Sequence, residues 1–180
     1  MNNRRKVLFL DRDGVLNKDT HYLHDPAELE WVDGAKEALA QARQAGYELI
    51  VVTNQSGVAR GYYTEEEVRY LHGCMQAELA ACGAGVRAFY YCPYYEGAPV
   101  ERYNRASRCR KPKPGMLVQA MEDFAVDRSR SLMIGDKPGD VEAAQAAGIR
   151  GYLFTGGNLA AFAAPLLSEE KGEDGAGENL

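Results

Sequence analysis

No stretch of the 180-residue chain approaches the roughly 18 to 20 uninterrupted apolar residues that span a bilayer, although nearly half of its residues are apolar. A membrane span is therefore not expected. The start, MNNRRKVLFLDRD, places basic residues before an apolar run, but that run is only Val7 to Leu10 and no small-residue cleavage site follows. The two absences predict a cytoplasmic protein that does not engage a membrane. Net charge is also small. Of the net −5, residues 168 to 180 (SEEKGEDGAGENL) supply five acids against one lysine, so the remaining chain is close to neutral. A near-neutral body argues against a long phosphate-backbone footprint, and no nucleic-acid partner is expected. Four cysteines are too few for a disulfide framework in a reducing compartment, and Cys74 and Cys82, within a helical pattern, read as small buried hydrophobes. There is no internal repeat, and the only low-complexity segment is the end of the chain. Residues 1–167 are expected to form one domain, with 168–180 a mobile acidic tail that lacks the apolar residues to offset its chain entropy.

What is present is an alternation of short apolar runs and helical patterns. Lys6 to Leu10, Glu48 to Thr53, Arg87 to Cys92, Ser131 to Ile134 and Arg150 to Phe154 read as strands, and their near-continuous apolar character suits a parallel sheet buried on both faces. Between them, Ala35, Ala38, Leu39 and Ala42 recur at helical spacing before Gly46. Thr64 with Glu67 has the form of a capping box ahead of Val68, Leu71, Met75 and Leu79. Pro114 opens a helix through Met116, Leu117, Ala120, Met121 and Phe124, and Asp140 to Ala147 forms another, stopped by Gly148. This order predicts a layered α/β domain with right-handed crossovers.

In such a sheet, ligands bind beyond the carboxyl ends of the strands. Three strands end there in polar sequence: Asp11-Arg12-Asp13-Gly14, Thr53-Asn54-Gln55-Ser56-Gly57 and Gly135-Asp136-Lys137-Pro138-Gly139-Asp140. Asp11 and Asp136 brought together suit Mg²⁺, which takes carboxylates together with water and substrate phosphate. Asp11 can then attack phosphorus, while Asp13 protonates the leaving oxygen and later activates water. Thr53, Asn54, backbone N–H groups and the ammonium of Lys111 would stabilise the transferring group. A lone D-x-D, G-D-K-x-x-D or T-N-Q-S-G is weak; all three, in order and each directly after an apolar strand, point to phosphoryl transfer.

The segments FLDRDGVLN, VVTNQSGVARG, CRKPKPGM and MIGDKPGDVEAA resemble the four motifs of the haloacid-dehalogenase-superfamily phosphatases. Within that superfamily, residues 5 to 155 resemble the heptose 1,7-bisphosphate 7-phosphatases, with histidinol-phosphate phosphatases as close relatives. The resemblance implies a three-layer, Rossmann-like α/β fold with a mainly parallel central sheet. It implies Asp11 as nucleophile, Asp13 as acid/base, and Asp11, Asp136 and the Asp13 carbonyl as Mg²⁺ ligands. Thr53 and Lys111 would hold the transferring phosphate. Arg12, Asp19, His21, Tyr22, Asn54, Gln55, Ser56, Arg110 and Lys137 become substrate contacts; His24 and His72 are given no role. Only 39 residues separate Asp13 from Thr53, so no independent cap domain is expected, and substrate selection falls to the loops 17–26, 57–64 and 92–110.

Relatives carry a zinc clip of the form Cys-x-His and Cys-x-Cys before the catalytic lysine. Here the four positions are Cys92, Tyr94, Ser107 and Cys109. Structural zinc takes four strong N or S donors, and two are missing, so zinc is not expected. A Cys92–Cys109 disulfide is not expected in a reducing compartment either. The loop is instead expected to be held by Tyr90, Tyr91, Tyr94, Tyr95 and Tyr103, with Pro93, Pro99 and Pro112 limiting its conformations. The readings that remain are a phosphosugar phosphatase, a histidinol-phosphate phosphatase, a nucleic-acid 3′-phosphatase and a catalytically inactive phosphosugar-binding relative. The anomer at C1 and the oligomeric state are open, with a monomer as the working expectation.

Overall fold

A computed structural model describes residues 4–168. Five parallel strands, β1 (Val7–Leu10), β2 (Glu48–Asn54), β3 (Ala88–Cys92), β4 (Leu132–Gly135) and β5 (Arg150–Leu153), form one sheet in the order β3-β2-β1-β4-β5. The chain winds outward from β1 through β2 to β3, then returns to the other side of β1 for β4 and β5. The strand order therefore reverses beside β1, where an open α/β sheet leaves a crevice at its carboxyl edge.

Alternate residues along the central strands feed two cores. Leu8, Leu10, Leu49, Val51, Leu132 and Ile134 face α1 (Ala35–Gln44), α3 (Glu65–Ala81) and α6 (Leu159–Ser168). Val7, Phe9, Ile50, Val52 and Met133 face α4 (Gly115–Phe124) and α5 (Pro138–Ala146). The result is three layers, as the sequence predicts. The Thr64 capping box is formed: Glu67 N–H donates to Thr64 Oγ1, and Thr64 N–H donates to the Glu67 carboxylate. No helix among the described residues is long and apolar enough to cross a membrane.

Four local features depart from or add to the expectation. The segment read as a loop after β2 contains a single turn, α2 (Gly57–Arg60), and α6 forms despite Pro165 inside it because Leu159, Ala163 and Leu167 are buried in the core beside α1. Cys82 is exposed at the C-terminus of α3 rather than buried, and Cys74 is only partly covered. Cys92 and Cys109 are joined as a disulfide, contrary to expectation: the loop after β3 returns to its starting point, so their Cα atoms lie 5.6 Å apart, inside the range a disulfide bridges. The tail lies, apart from Ser168, outside the described residues.

The tyrosine-rich loop forms a small core of its own. Tyr103 and Ala98 pack with Val58, Ala59, Tyr63 and Val68, with Tyr91, Tyr94, Tyr95 and Val100 against them. The Tyr91 and Tyr103 hydroxyls both donate to Glu65 at the start of α3, at 2.8 and 2.6 Å. Each phenol thus buries its ring and keeps its polar tip paired.

Candidate active site

The carboxyl ends of β1, β2 and β4 meet at a cavity of about 410 Å³ lined by Asp11, Asp13, His21, Arg110, Lys111 and Lys137 among others. Lys111 organises its floor. Its ammonium has three protons and three acceptors: Val52 O at 2.8 Å, Asp11 Oδ1 at 3.0 Å and Asp140 Oδ1 at 2.6 Å. Burial works against its charge, but the two carboxylates outweigh burial and raise its pKa. Asn54 fixes the backbone of Lys111 in turn, donating from Nδ2 to Lys111 O and accepting Lys111 N–H on Oδ1. The peptide bond between Lys111 and Pro112 is cis.

Asp11 is buried and accepts on Oδ1 from Arg12 N–H as well as from Lys111. Burial raises its pKa to about 7; Lys111 pulls the value down, while Asp140 and Asp13 push it up. Asp13 differs. Burial also acts to raise its pKa, but Arg12, Asn17 and Gln55 together hold it below the usual carboxylate range. Arg12 reaches both Asp13 oxygens from Nη2, at 3.0 and 3.2 Å, and Asn17 Nδ2 and Gln55 Nε2 donate to one oxygen each.

Arg12 is therefore not where the sequence reading put it. Its side chain is fully buried, bonded to Asp13, to Leu23 O and to His72, and does not line the cavity. An adjacent carboxylate and a carbonyl satisfy the guanidinium better than an open site, so its place is behind the acid/base candidate. His72 is neutral there, its pKa pushed to about 3 by burial and by Arg12. Gln55 lines the cavity, yet its amide is spent on Asp13, on Thr53 Oγ1 at 2.9 Å and on the Tyr63 hydroxyl at 2.6 Å, which orients it. Ser56, Asp19, His21, Tyr22, Arg110 and Lys137 line the cavity. His21 and Tyr22 hold consecutive left-handed backbone conformations, φ 63° and 61°, of the kind that costs about 1 kcal/mol or more each and concentrates at functional loops. Lys137 reaches across to Asp19 at 3.7 Å.

Asp140 ends the third polar strand-end motif, which by itself predicts no role for it. Its Oδ2 accepts the N–H groups of Asp136 and Lys137 at 3.1 and 3.0 Å, which caps α5, and its Oδ1 holds Lys111. The fourth-residue spacing from Asp136 was the available signal; the link to Lys111 had none. The aspartates 11, 136 and 140 present oxygens within 4.8 Å of one another. Asp140 is already satisfied, whereas Asp136 Oδ1 is buried with no hydrogen-bond partner. Burial raises the pKa of Asp136, with Asp11 and Lys137 acting against it. An orphaned buried oxygen beside a second carboxylate fits a hard divalent cation held by Asp11 and Asp136. The Asp13 carboxylate is turned to Arg12 and outside this cluster.

Two glycines make the close approach possible. Gly14 has φ +85°, and a Cβ there would lie 2.2 Å from Asp136 Oδ2; at Gly135, a Cβ would lie 2.1 Å from Asp140 Cβ.

At the unmatched clip, Ser107 Oγ lies 3.0 Å from Cys109 Sγ, and the Tyr94 ring packs under the Arg105 guanidinium at 4.0 Å. The two sulfurs are joined to each other, and the other two positions supply only the Tyr94 phenol and the Ser107 hydroxyl.

Comparison with known proteins agrees with this arrangement. Residues 108–171 match the HAD-hydrolase-like family model. The chain is 43% identical to a D-glycero-β-D-manno-heptose-1,7-bisphosphate 7-phosphatase of Rhodopseudomonas palustris, over 92% of each chain. It is 40% identical to a D-glycero-α-D-manno-heptose-1,7-bisphosphate 7-phosphatase of Photorhabdus laumondii, over 82% of this chain and 80% of that one. The crystal structure of the D,D-heptose 1,7-bisphosphate phosphatase of B. bronchiseptica, complexed with magnesium and phosphate, superposes with a TM-score of 0.78 at 32% identity, over 91% of this chain and 99% of that one. The chain belongs to the haloacid-dehalogenase-like phosphatases and is a phosphoric monoester hydrolase.

Proposed function

We propose that the protein is an Mg²⁺-dependent phosphatase that removes the 7-phosphate from a D-glycero-D-manno-heptose 1,7-bisphosphate. The observation that carries this reading is the meeting of Asp11, Asp13 and Lys111 in one cavity whose rim bears further cations, Arg110 and Lys137. The heptose-phosphatase relatives support the substrate. Because they act on both anomers, the configuration at C1 stays open.

An Asp11 carboxylate oxygen attacks phosphorus, and the bond to the sugar oxygen breaks as that oxygen takes a proton from Asp13. Asp13, held ionised in the free protein, acquires this proton when the phosphate dianion arrives beside it and favours its neutral form. Asp13 then takes a proton from water, which attacks the aspartyl-phosphate and regenerates Asp11. Lys111 exchanges its bond to Asp11 for a phosphoryl oxygen while Asp140 and Val52 O keep it in place; Thr53 Oγ1, buried at the end of β2 behind the cavity lining, accepts from Gln55 Nε2. Mg²⁺ would be held by Asp11 and Asp136 and would supply positive charge against the carboxylates and the phosphate.

Phosphate release from heptose 1,7-bisphosphate, histidinol phosphate and a 3′-phosphorylated oligonucleotide, each with Mg²⁺ and with EDTA, tests the reading. The bisphosphate should lead, and EDTA should abolish turnover. A higher kcat/KM on either other substrate reassigns the enzyme. Arg110→Ala should raise KM for the bisphosphate about tenfold or more, the scale of one charge-assisted contact, and raise it far less for p-nitrophenyl phosphate. Equal changes on the two substrates would place Arg110 at the transferring phosphate instead.

We infer also that the 92–109 loop holds its shape without zinc, through the tyrosine core and the Cys92–Cys109 bond. Protein purified without chelator or reductant should contain no stoichiometric zinc and, once denatured, two titratable thiols out of four cysteines. One zinc per chain and four thiols would overturn this.

A further inference from the structure

His72 is a buried titratable side chain that the mechanism leaves unused, and its contacts lead to the acid/base candidate. It stands in the middle of α3 with its ring stacked on Phe89, centroids 4.6 Å and planes 21° apart, and edge-on to Tyr91. The ring is thus fixed between α3 and β3. Its Nε2 lies 3.2 Å from Arg12 Nη1. A guanidinium only donates, so Nε2 accepts and the ring proton sits on Nδ1. Burial and the charge of Arg12 both keep this imidazole neutral.

Arg12 carries that anchorage to Asp13. Its fully buried guanidinium is fastened on three sides: Nη1 to His72, Nη2 to Leu23 O at 3.0 Å, and Nε with Nη2 to the Asp13 carboxylate. Asp13 Oδ1 accepts from Nε at 3.3 Å, Nη2 at 3.0 Å and Asn17 Nδ2, whereas Oδ2 accepts from Nη2 at 3.2 Å and from Gln55 Nε2. Oδ2 is the less encumbered oxygen for exchanging a proton with the leaving group. The neutrality of His72 matters as much as its place. A carboxylate at position 72 would compete with Asp13 for the guanidinium, but an imidazole satisfies one N–H and leaves the ion pair to Asp13. With no acceptor there, a buried N–H is stranded, and the guanidinium gains by turning from Asp13 to find another.

We propose that His72 is a positioning residue for phosphoryl transfer: acting through Arg12, it fixes the orientation in which Asp13 delivers a proton to the leaving oxygen. The inference rests on Asp13 as the acid of the proposed reaction. It predicts a defect confined to substrates whose leaving group needs that proton. A sugar alkoxide depends on it; p-nitrophenolate leaves as the anion.

The test measures kcat/KM, which covers the steps up to departure of the leaving group, for His72→Phe and His72→Gln. The substrates are the alkyl phosphate that the wild type turns over best and p-nitrophenyl phosphate. Phenylalanine keeps a ring to stack on Phe89 but offers no acceptor, whereas glutamine brings an amide oxygen to the reach of Nε2. His72→Phe should lower kcat/KM about tenfold for the alkyl phosphate and no more than about twofold for p-nitrophenyl phosphate, and His72→Gln should recover most of the loss. An equal loss in His72→Gln overturns the role, because the acceptor is then not what matters. Asp13→Asn in the same two assays judges the acid reading by itself. If Asp13→Asn discriminates between the substrates while His72→Phe changes both alike or neither, the positioning role falls and the acid stands. If Asp13→Asn affects both substrates alike, the acid reading fails and the positioning role fails with it. Should His72→Phe not fold, His72→Asn, whose amide ends one bond short of Arg12, takes its place under the same criteria.

Discussion

Asp11→Asn is expected to lower phosphate release by at least about 10³-fold, the scale on which loss of a nucleophile is felt, while leaving the fold intact. The amide has the shape of the carboxylate, and its oxygen can still accept from Arg12 N–H and Lys111. It cannot attack phosphorus. Stability should move in an unusual direction. Burial and the nearby Asp140 and Asp13 raise the Asp11 pKa from 3.8 to about 7 in the absence of metal, despite Lys111. A carboxyl whose folded-state pKa is raised favours folding most below its unfolded value, and its contribution declines as pH rises through that window, roughly pH 4 to 7. At pH 7.5 without Mg²⁺ the wild type carries the full cost, and Asp11→Asn removes it. Its Tm in EDTA should equal or exceed that of the wild type, and the gain in Tm on adding Mg²⁺ should shrink because one of the two proposed ligands has lost its charge. Residual activity above a few per cent would end the covalent mechanism. A drop in Tm of several degrees in EDTA would show that the Asp11 carboxylate stabilises the fold rather than straining it.

How far the site could be read from sequence depended on whether a residue's partner lay nearby in the chain. The five strands were legible to within a residue or two because each is a short apolar run flanked by polar punctuation, and the order of runs and helical patterns limited the topology. Asp11, Thr53 and Asp136 followed from that, since each stands directly at a strand end. α6 was not legible. Gly156, Gly157 and Pro165 all argue locally against a helix, and only burial against α1 stabilises it. The same limit applies to Arg12, Asn54 and Gln55. All three stand in motifs that suggest substrate contact; Asn54 and Gln55 line the cavity but also bind Lys111 and Asp13, 57 and 42 positions away in sequence, and Arg12 is turned to the adjacent Asp13 and to His72, 60 positions away. Asp140 and Lys111 form one unit through a contact that no spacing announces. For Cys92 and Cys109, the sequence shows a separation of 17 but not that the loop closes on itself.

Lys111→Met should produce the second large effect, and it separates two roles that one residue combines. In the free protein, Lys111 neutralises two carboxylates whose side chains, like its own, are almost wholly buried. Removing one member of a buried charged set leaves the others uncompensated and typically costs about 3–5 kcal/mol. In turnover the same ammonium would stabilise the transferring phosphoryl group, and loss of one such donor costs about 10²- to 10³-fold in kcat. Lys111→Met is therefore expected to lose both stability and activity. The double variant Lys111→Met/Asp140→Asn removes one of the two stranded carboxylate charges and leaves Asp11, because Asp140 serves Lys111 on one oxygen and the α5 N-terminus on the other, and an amide oxygen can still cap the helix. That variant should recover a measurable part of the lost stability, followed by urea unfolding in EDTA, and none of the activity. Recovery of both would mean that Lys111 acts only as a structural counter-ion. Recovery of neither would mean that Asp140 and Lys111 do not form the coupled unit that their 2.6 Å contact describes.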